Sequence, residues 1–421
     1  DLGFENFVTS SLEINYEKIS NDTYLKLFNF IKSPLLAKMG GTLQSKIELD
    51  LSHEDYDFGS SINMYETLSG DNSDRYTYVL PSYNYNRNFF LASLDGSFGF
   101  SSGGSHRINK TNISTTTIGN DLTYGSLEYF TNNGIISNYN IQVTNSNTMS
   151  DSSPKYKNSP QSELLSAYFF DVTFPLRKKT ERRQNTLVPR LNFRYSPHDM
   201  VRLTNVSRKL TPSSVFSQNR LGSIETGESV TLGVEFKKQK INKISTFVDT
   251  QGVIIDHENL TSSDIEKKFL QKETVDEIED YIDFKLASVF RLNKEQNIPI
   301  NSTINETTSN IFGSAAYKPI KDITLGYNFS LTNDLNIIEK HGIDVSYITE
   351  NFSTEFGFSE EAGILGDSNV IANTTKLIDF KDYHNLSFST RRNRKINLTE
   401  FYNIIYEYKN DCLVAEIKYR K

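Results

Sequence analysis

Tryptophan is absent from this chain and cysteine occurs once, at position 412, so no disulfide can close within it. No stretch approaches the roughly 18 apolar residues that a transmembrane helix needs. Basic residues are not in excess: 45 Lys and Arg stand against 52 Asp and Glu, a net charge of −7, which leaves no electrostatic footprint for nucleic acid. Hydrophobic residues make up 37% of the chain, below the about 45–50% usual in globular proteins. The six histidines, at 53, 106, 198, 257, 341 and 384, include no H-E-x-x-H spacing, so no metal site is expected. His53-Glu54-Asp55 does not form an acid–base group either, because neighbours on a strand point to opposite faces. No G-x-S-x-G elbow and no glycine-rich phosphate loop occurs, so the reading is no enzyme, no cofactor, and a driving force supplied from elsewhere. The chain opens at Asp1 inside a strand-like pattern and stops at Lys421 while a strand is running. It is expected to be a piece of a longer protein, and missing targeting signals then say nothing about location.

What is present is aromatic and alternating. With 28 Phe and 23 Tyr, the chain is too rich in aromatics for a disordered polymer. Its hydrophobic period is two. Leu12, Ile14 and Tyr16 alternate with Glu13, Asn15 and Glu17, and Ile47, Leu49 and Leu51 with Lys46, Glu48 and Asp50. Ile323, Leu325, Tyr327, Phe329 and Leu331 stand against Thr324, Gly326, Asn328 and Ser330, and Phe352, Phe356 and Phe358 follow. Each such run is a strand with one oily and one wet face. Two architectures use such strands. A β-sandwich averages about five or six residues per strand, whereas an outer-membrane barrel needs about 9–11. Runs such as 322–332 and 397–409 have the longer length, and their wet faces carry too much Glu, Lys, Asn and Thr to pack a core. Periodicity thus favours the barrel and leaves the sandwich open. About twenty strands are expected, with tight turns at Asn132-Asn133-Gly134, Pro319 to Asp322, Glu350-Asn351 and Asn410-Asp411. Long polar connections are expected at 144–163 and 197–228. Residues 240–279 fit poorly: a strand-like Ile244 to Ile255 precedes a charged, helix-like Ser263 to Asp280. Counting back from the C-terminus puts this insert on the periplasmic side.

Basic residues cluster at Arg177, Lys178, Lys179, Arg182 and Arg183, read as a solvated periplasmic turn between strands ending near Leu176 and starting near Leu187. Arg190 and Arg194 alternate with Leu191 and Phe193, which would point both guanidiniums into a lumen, where phosphates or an acidic partner could meet them. Arg391, Arg392 and Arg394 carry the same two readings at an outer loop. Pro189 and Pro197 are read as bracketing a strand, since proline lacks the ladder donor. Cys412, beside the Asn410-Asp411 turn, would sit at the oxidising periplasmic rim. It is either one half of a disulfide to something outside the segment or an incidental thiol.

The segments SLEINYEKISNDTYLKLF, SDRYTYVLPSYNY, TLVPRLNFRYSP, ITLGYNFSLTNDL and NLSFSTRRNRKINLTEFYNIIYEYKNDCLVAEIKYRK, in this order, resemble the lipopolysaccharide-assembly outer-membrane protein family, LptD, the last of them its alphaproteobacterial branch. The resemblance runs from about residue 11 to the end and is weakest over 100–160 and 240–280. It implies an outer-membrane barrel that takes lipopolysaccharide from a periplasmic bridge protein and releases it into the outer leaflet through a lateral gate. A lipoprotein plugs the lumen, and a periplasmic jelly-roll precedes the barrel. On this resemblance residues 1–421 are a barrel segment with open edges, lacking the jelly-roll, the first strands and the last one. Pro189, Tyr195, Pro197 and Asp411 are motif positions. Cys412 corresponds to the family's C-terminal cysteine, bonded to the N-terminal domain, and Asp411 stands where relatives often have a second cysteine. The rival functions are a general porin or plugged-barrel receptor, and a β-sandwich surface adhesin.

Overall fold

A computed structural model of the chain describes all residues except 1, 20, 23–40, 69–73, 92–93, 110–111, 154, 201–206, 249–253, 256–270, 380–382 and 411. Among the described residues 22 strands join in one sheet by antiparallel ladders, and no α-helix occurs. The strands are β1 Thr9–Asn15, β2 Thr42–Ser52, β3 Tyr56–Thr67, β4 Tyr76–Leu91, β5 Gly96–Asn109, β6 Ile113–Ser126, β7 Tyr129–Phe130, β8 Ile136–Asp151 and β9 Gln161–Thr173. Then follow β10 Leu176–Lys179, β11 Arg183–Ser196, β12 Gly227–Val248, β13 Ile254–Ile255, β14 Gln271–Arg291, β15 Ile311–Ile320 and β16 Ile323–Leu331. The last six are β17 Ile338–Ile348, β18 Phe352–Glu361, β19 Ser368–Leu377, β20 His384–Asn393, β21 Leu398–Lys409 and β22 Val414–Arg420. One sheet with an exposed oily face is not a sandwich, which needs two sheets burying those faces against each other.

Contacts divide the chain into two compact units, the first Asp1–Tyr129, Asn138–Phe170 and Tyr195–His198, the second Phe130–Ser137, Asp171–Arg194 and Asp199–Lys421. In the first unit Leu12 pairs with Leu49 and Ile14 with Ile47, all on one face, while Lys46 bridges Glu13 at 2.9 Å and Glu48 at 2.6 Å on the other. Where β4, β5, β6 and β8 meet their short connections, aromatic rings form a chain. Phe89 meets Phe98 at 5.4 Å between centroids, Phe98 meets Tyr124 at 4.8 Å, and Tyr124 meets Tyr139 at 5.6 Å. In the second unit Tyr281 and Tyr317 lie 5.2 Å apart, Tyr347 and Phe352 5.9 Å, and His384 and Tyr408 5.2 Å, again at the short-connection end. Tyrosine and phenylalanine thus supply the interfacial girdle that tryptophan often shares.

Strand β11 shows the membrane-type inversion most clearly. Leu191 is 37% exposed and Phe193 40%, whereas Asn192 is 2% exposed and Arg194 1%. A water-soluble strand would reverse this order, because burial favours apolar groups and penalises polar ones. Apolar side chains facing outward are stable only if the outer medium is itself apolar.

Three expectations need correction. The Ser- and Asn-rich stretch after 144 is strand, not loop: β8 continues to Asp151, its Asn145 bonded to Asn120 at 3.2 Å, and the connection is only 152–160. Polar residues on both faces hid it, since the ladder is satisfied by backbone whatever the side chains are. The insert at 240–279 is no helix over the part that is described. Residues 271–280 belong to β14, paired with β12 from Val248↔Gln271 up to Ser229↔Arg291. The Ile241 amide donates to the Arg182 carbonyl at 2.9 Å, level with the turn between β10 and β11, so the ribbon runs past that turn. Residues 263–270 lie outside the described residues. Lastly, Pro189 does not start a strand: β11 begins at Arg183. The proline stands where the opposite strand breaks between β9 and β10, at Phe174 and Pro175, so its missing donor falls at that break and not within β9 or β10. The Phe174 amide donates to the Pro189 carbonyl at 3.0 Å. Pro197 does end β11, as read.

Candidate functional site

The site is built on the inner face of the second unit, the face onto which two long connections fold. Strand pairing carries that face across the sheet in rows. At the outer end, Ala287 pairs with Phe312, Phe312 with Ser330, Ser330 with Lys340, Lys340 with Glu361 and Glu361 with Ser368. Two residues lower on each strand, Lys285, Ser314, Asn328, Gly342 and Ser359 share the next row. Further down, Thr324, Ser346, Glu355, Thr374 and Ser389 share another. Antiparallel partners share a face and alternate residues change it. Leu325, Ile343 and Phe356, all exposed, therefore point the opposite way. The inner face is hydrophilic and of mixed charge: Lys285 lies 3.5 Å from Glu235 and 3.8 Å from Asp283, and Lys418 lies 2.7 Å from Glu416.

Over the outer end of this face the connections 197–226 and 292–310 pack a small apolar core. Leu210, Val215, Leu221, Ile298 and Ile304 come from the connections and close on Ala287, Val289 and Phe312 of the strands. Beside it Glu225, 1% exposed, is surrounded by three arginines. Arg220 binds it through Nε and Nη2, both at 2.7 Å, and also donates to the Val215 carbonyl, Thr231 and Ser229 at 3.0–3.1 Å. Arg194 Nη1 lies 3.3 Å from Glu225, and its Nη2 donates to the Ser217 carbonyl at 2.7 Å. Arg291 bonds both Glu225 and the Thr226 carbonyl. Burial alone would raise the Glu225 carboxyl, but the charges of Arg220, Arg194 and Arg291 outweigh it and hold the group at about 2. A second tie joins Asn310 to Glu339 at 2.7 Å and to Ser330 at 3.1 Å, and a third joins Lys209 to Glu361. Together these pin the connections to the inner wall of β11–β18.

The sequence-selected residues fall at different places. Arg190 and Arg194 do share the inner face, but their surroundings differ. Arg190 remains accessible: it bonds Asp171 at 3.2 Å and stacks 4.3 Å over the Phe216 ring, at the edge of a cleft that Glu235 and Lys285 also line. Phe216 fits there because residue 233 is glycine; a Cβ would lie 2.6 Å from the ring. Arg194 is taken by Glu225 and Ser217 and reaches no open surface. Tyr195 stacks on Tyr168 at 6.1 Å. Arg391 bonds Glu400 at 2.7 Å. Cys412 is exposed in the turn after β21, its amide and that of Leu413 donating to the Asn410 side chain at 3.0 and 2.7 Å. Asp411 lies outside the described residues. Among the described residues no cluster of His, Cys, Asp or Glu has metal-binding geometry. Glu225, Arg220 and Arg291 were not selected from sequence. Arg220 and Glu225 lie five residues apart in one long polar connection and Arg291 lies 66 residues beyond Glu225, without a period or motif, and only a surplus of charge within such connections could have hinted at them.

Comparison with known proteins bears on this geometry. No curated protein sequence matches the chain. Among solved structures, the FrpB iron transporter from Neisseria meningitidis is similar at a TM-score of 0.33 and 8% identity over 90% of this chain and 66% of that one. The Serratia marcescens hemophore receptor HasR gives 0.37 and 8% over 90% and 76%. The Pseudomonas aeruginosa ferric enterobactin receptor PfeA gives 0.38 and 7% over 89% and 65%. Likenesses this distant carry no functional weight. The family model of LPS transport system D, in contrast, matches residues 7–381. The chain is an outer-membrane β-barrel polypeptide and belongs to the LptD family of lipopolysaccharide-transport proteins.

Proposed function

We propose that this chain forms the wall of a lipopolysaccharide translocon. The sugar portion would travel along the inner face, and the acyl chains would leave sideways into the membrane through a lateral gate, ending in the outer leaflet. The observation that carries this reading is the inversion of β11 and β16–β18: hydroxyls, amides and paired charges inside, Leu, Ile and Phe outside. Such a wall solvates a polar, phosphate-bearing saccharide and repels its acyl chains. Arg190 is the residue placed to meet lipid phosphate or acidic groups of a lumen-plugging lipoprotein, since its guanidinium reaches open space. Arg194 holds the capping connection instead.

On the same reading, a periplasmic jelly-roll and the gate strands are contributed by sequence outside residues 1–421. That domain receives lipopolysaccharide from a periplasmic bridge protein, and Cys412 tethers the barrel to it. Depleting the full-length protein from growing cells tests the function. Newly made lipopolysaccharide should cease to reach the cell surface and accumulate on the inner side. Undiminished surface delivery in depleted cells would exclude the reading.

A further inference from the structure

The inner wall contains a hollow of about 280 Å³ whose floor is β16–β18 and whose rim is the capping connection at Lys209–Pro212 and Leu365. Of its apolar lining, Phe312 is 1% exposed and Leu365 4%, while Phe329 and Phe358 are half-buried. The polar groups of its lining include Asn328, Asp344, Ser359 and Lys340, set beside apolar surface on which the carbon face of a sugar ring can rest. Asn328 donates to Asp344 at 3.3 Å, which leaves the second carboxylate oxygen open. We infer that this hollow is a saccharide subsite, binding one or two uncharged sugar rings of the transported lipopolysaccharide by their hydroxyls. The inference rests on the translocon reading above and assigns one step of it to particular residues.

The chemistry favours hydroxyls over phosphate. Asp344 supplies an acceptor for neighbouring hydroxyl protons, while the Asn328 amide, Ser359 and Lys340 supply donors to ring and hydroxyl oxygens. A phosphate would meet the Asp344 charge, and the nearby ammonium groups of Lys209 and Lys340 are shared already with Glu361. The volume lies just below the about 300–1,000 Å³ of sites that enclose drug-sized molecules, so it suits a ring or two rather than a protein segment. Glycines deepen it. Gly342 lies in the floor, and Gly326 and Gly357 pair with Asp344 from either side. Neither a positive φ nor a bulge demands glycine at these three, and a Cβ on each would meet the protein at ordinary contact distances of 3.5–3.8 Å. Glycine within a strand weakens it, and where no bulge explains it, it often marks close approach of a ligand.

The experiment uses full-length protein with its lipoprotein partner, and two probes: lipopolysaccharide freed of its acyl chains, and lipid A without core sugars. Affinities are measured by calorimetry for the wild type, Gly342→Val and Asp344→Asn, alongside delivery of lipopolysaccharide to the cell surface. Gly342→Ala, which the space admits, controls for folding. The de-acylated saccharide should bind the wild type, and lipid A should not compete for it. Affinity should fall at least tenfold in Gly342→Val and Asp344→Asn, with slower delivery. Unchanged saccharide affinity in both variants, while the wild type still delivers lipopolysaccharide, overturns the subsite and leaves the translocon reading standing. Loss of binding to the lipoprotein in place of the saccharide overturns it in favour of a plug contact. Failure of the wild type to deliver lipopolysaccharide at all removes both.

Discussion

Arg220 and Glu225 face each other through two parallel hydrogen bonds, Nε to Oε2 and Nη2 to Oε1, each 2.7 Å long. Both side chains are fully buried, so the bond is neither screened by salt nor shared with water. Removing one partner of such a pair leaves a charge buried without its counter-ion, which costs about 3–5 kcal/mol. Glu225→Gln should therefore release the connection 197–226 from the inner wall. Trypsin should cut at Arg208 or Lys209 in the variant under conditions that spare the wild type. Equal resistance would show that the apolar core alone holds the connection.

The same tie has a pH dependence of fixed sign. The folded pKa of Glu225, about 2, lies below its ordinary value of 4.5. Its contribution is thus complete above about pH 4.5 and fades as pH falls from there through about 2. Hydrogen exchange of the amides in 207–226, taken relative to the intrinsic rate of an unprotected amide at each pH, should accelerate across that acid window and stay flat between pH 5 and about 8. Acceleration on the alkaline side instead would assign the tie to another group.

Pro189 and Leu187 differ in what lies opposite them. Leu187 pairs with Leu176 in an intact ladder, whereas Pro189 faces the break at Phe174 and Pro175. Pro189→Ala should assemble normally. Leu187→Pro, placing the missing donor inside the ladder, should reduce heat-modifiable folded barrel on gels severely. Equal assembly of both variants would contradict the pairing.

How far the sequence was legible follows from where alternation survives. Ile323 to Leu331 alternates without interruption, and β16 occupies those nine residues. The Ser- and Asn-rich half of β8, 144–151, and the charged Gln271–Asp280 do not alternate, because polar residues stand at both odd and even positions. Backbone pairing then places them without any hydrophobic signal. Arg190 and Arg194 alternate with Leu191 and Phe193 and so lie on the face opposite them. Spacing could not tell that Arg194 would be claimed by Glu225, a residue 31 positions away on another element. The aromatic girdle was visible as tyrosines near strand ends, although the stacking of Phe98, Tyr124 and Tyr139 needed the sheet.

Cys412 is exposed in the turn that follows β21. In full-length protein taken from cell envelopes, a tether to the N-terminal domain predicts a gel mobility shift on reduction that Cys412→Ser abolishes. Ready alkylation of Cys412 in intact envelopes, with no shift, would make the thiol a free one.

The central claim is that one face of these strands meets lipid and the other meets the moving saccharide. Photo-crosslinking residues placed at Thr374 on the inner face and at Phe356 on the outer face of adjoining strands test it directly. Capture of lipopolysaccharide at Thr374 in growing cells, dependent on continuing transport, with ordinary membrane phospholipid captured at Phe356, is the predicted result. Lipopolysaccharide captured at Phe356 and never at Thr374 would contradict the account.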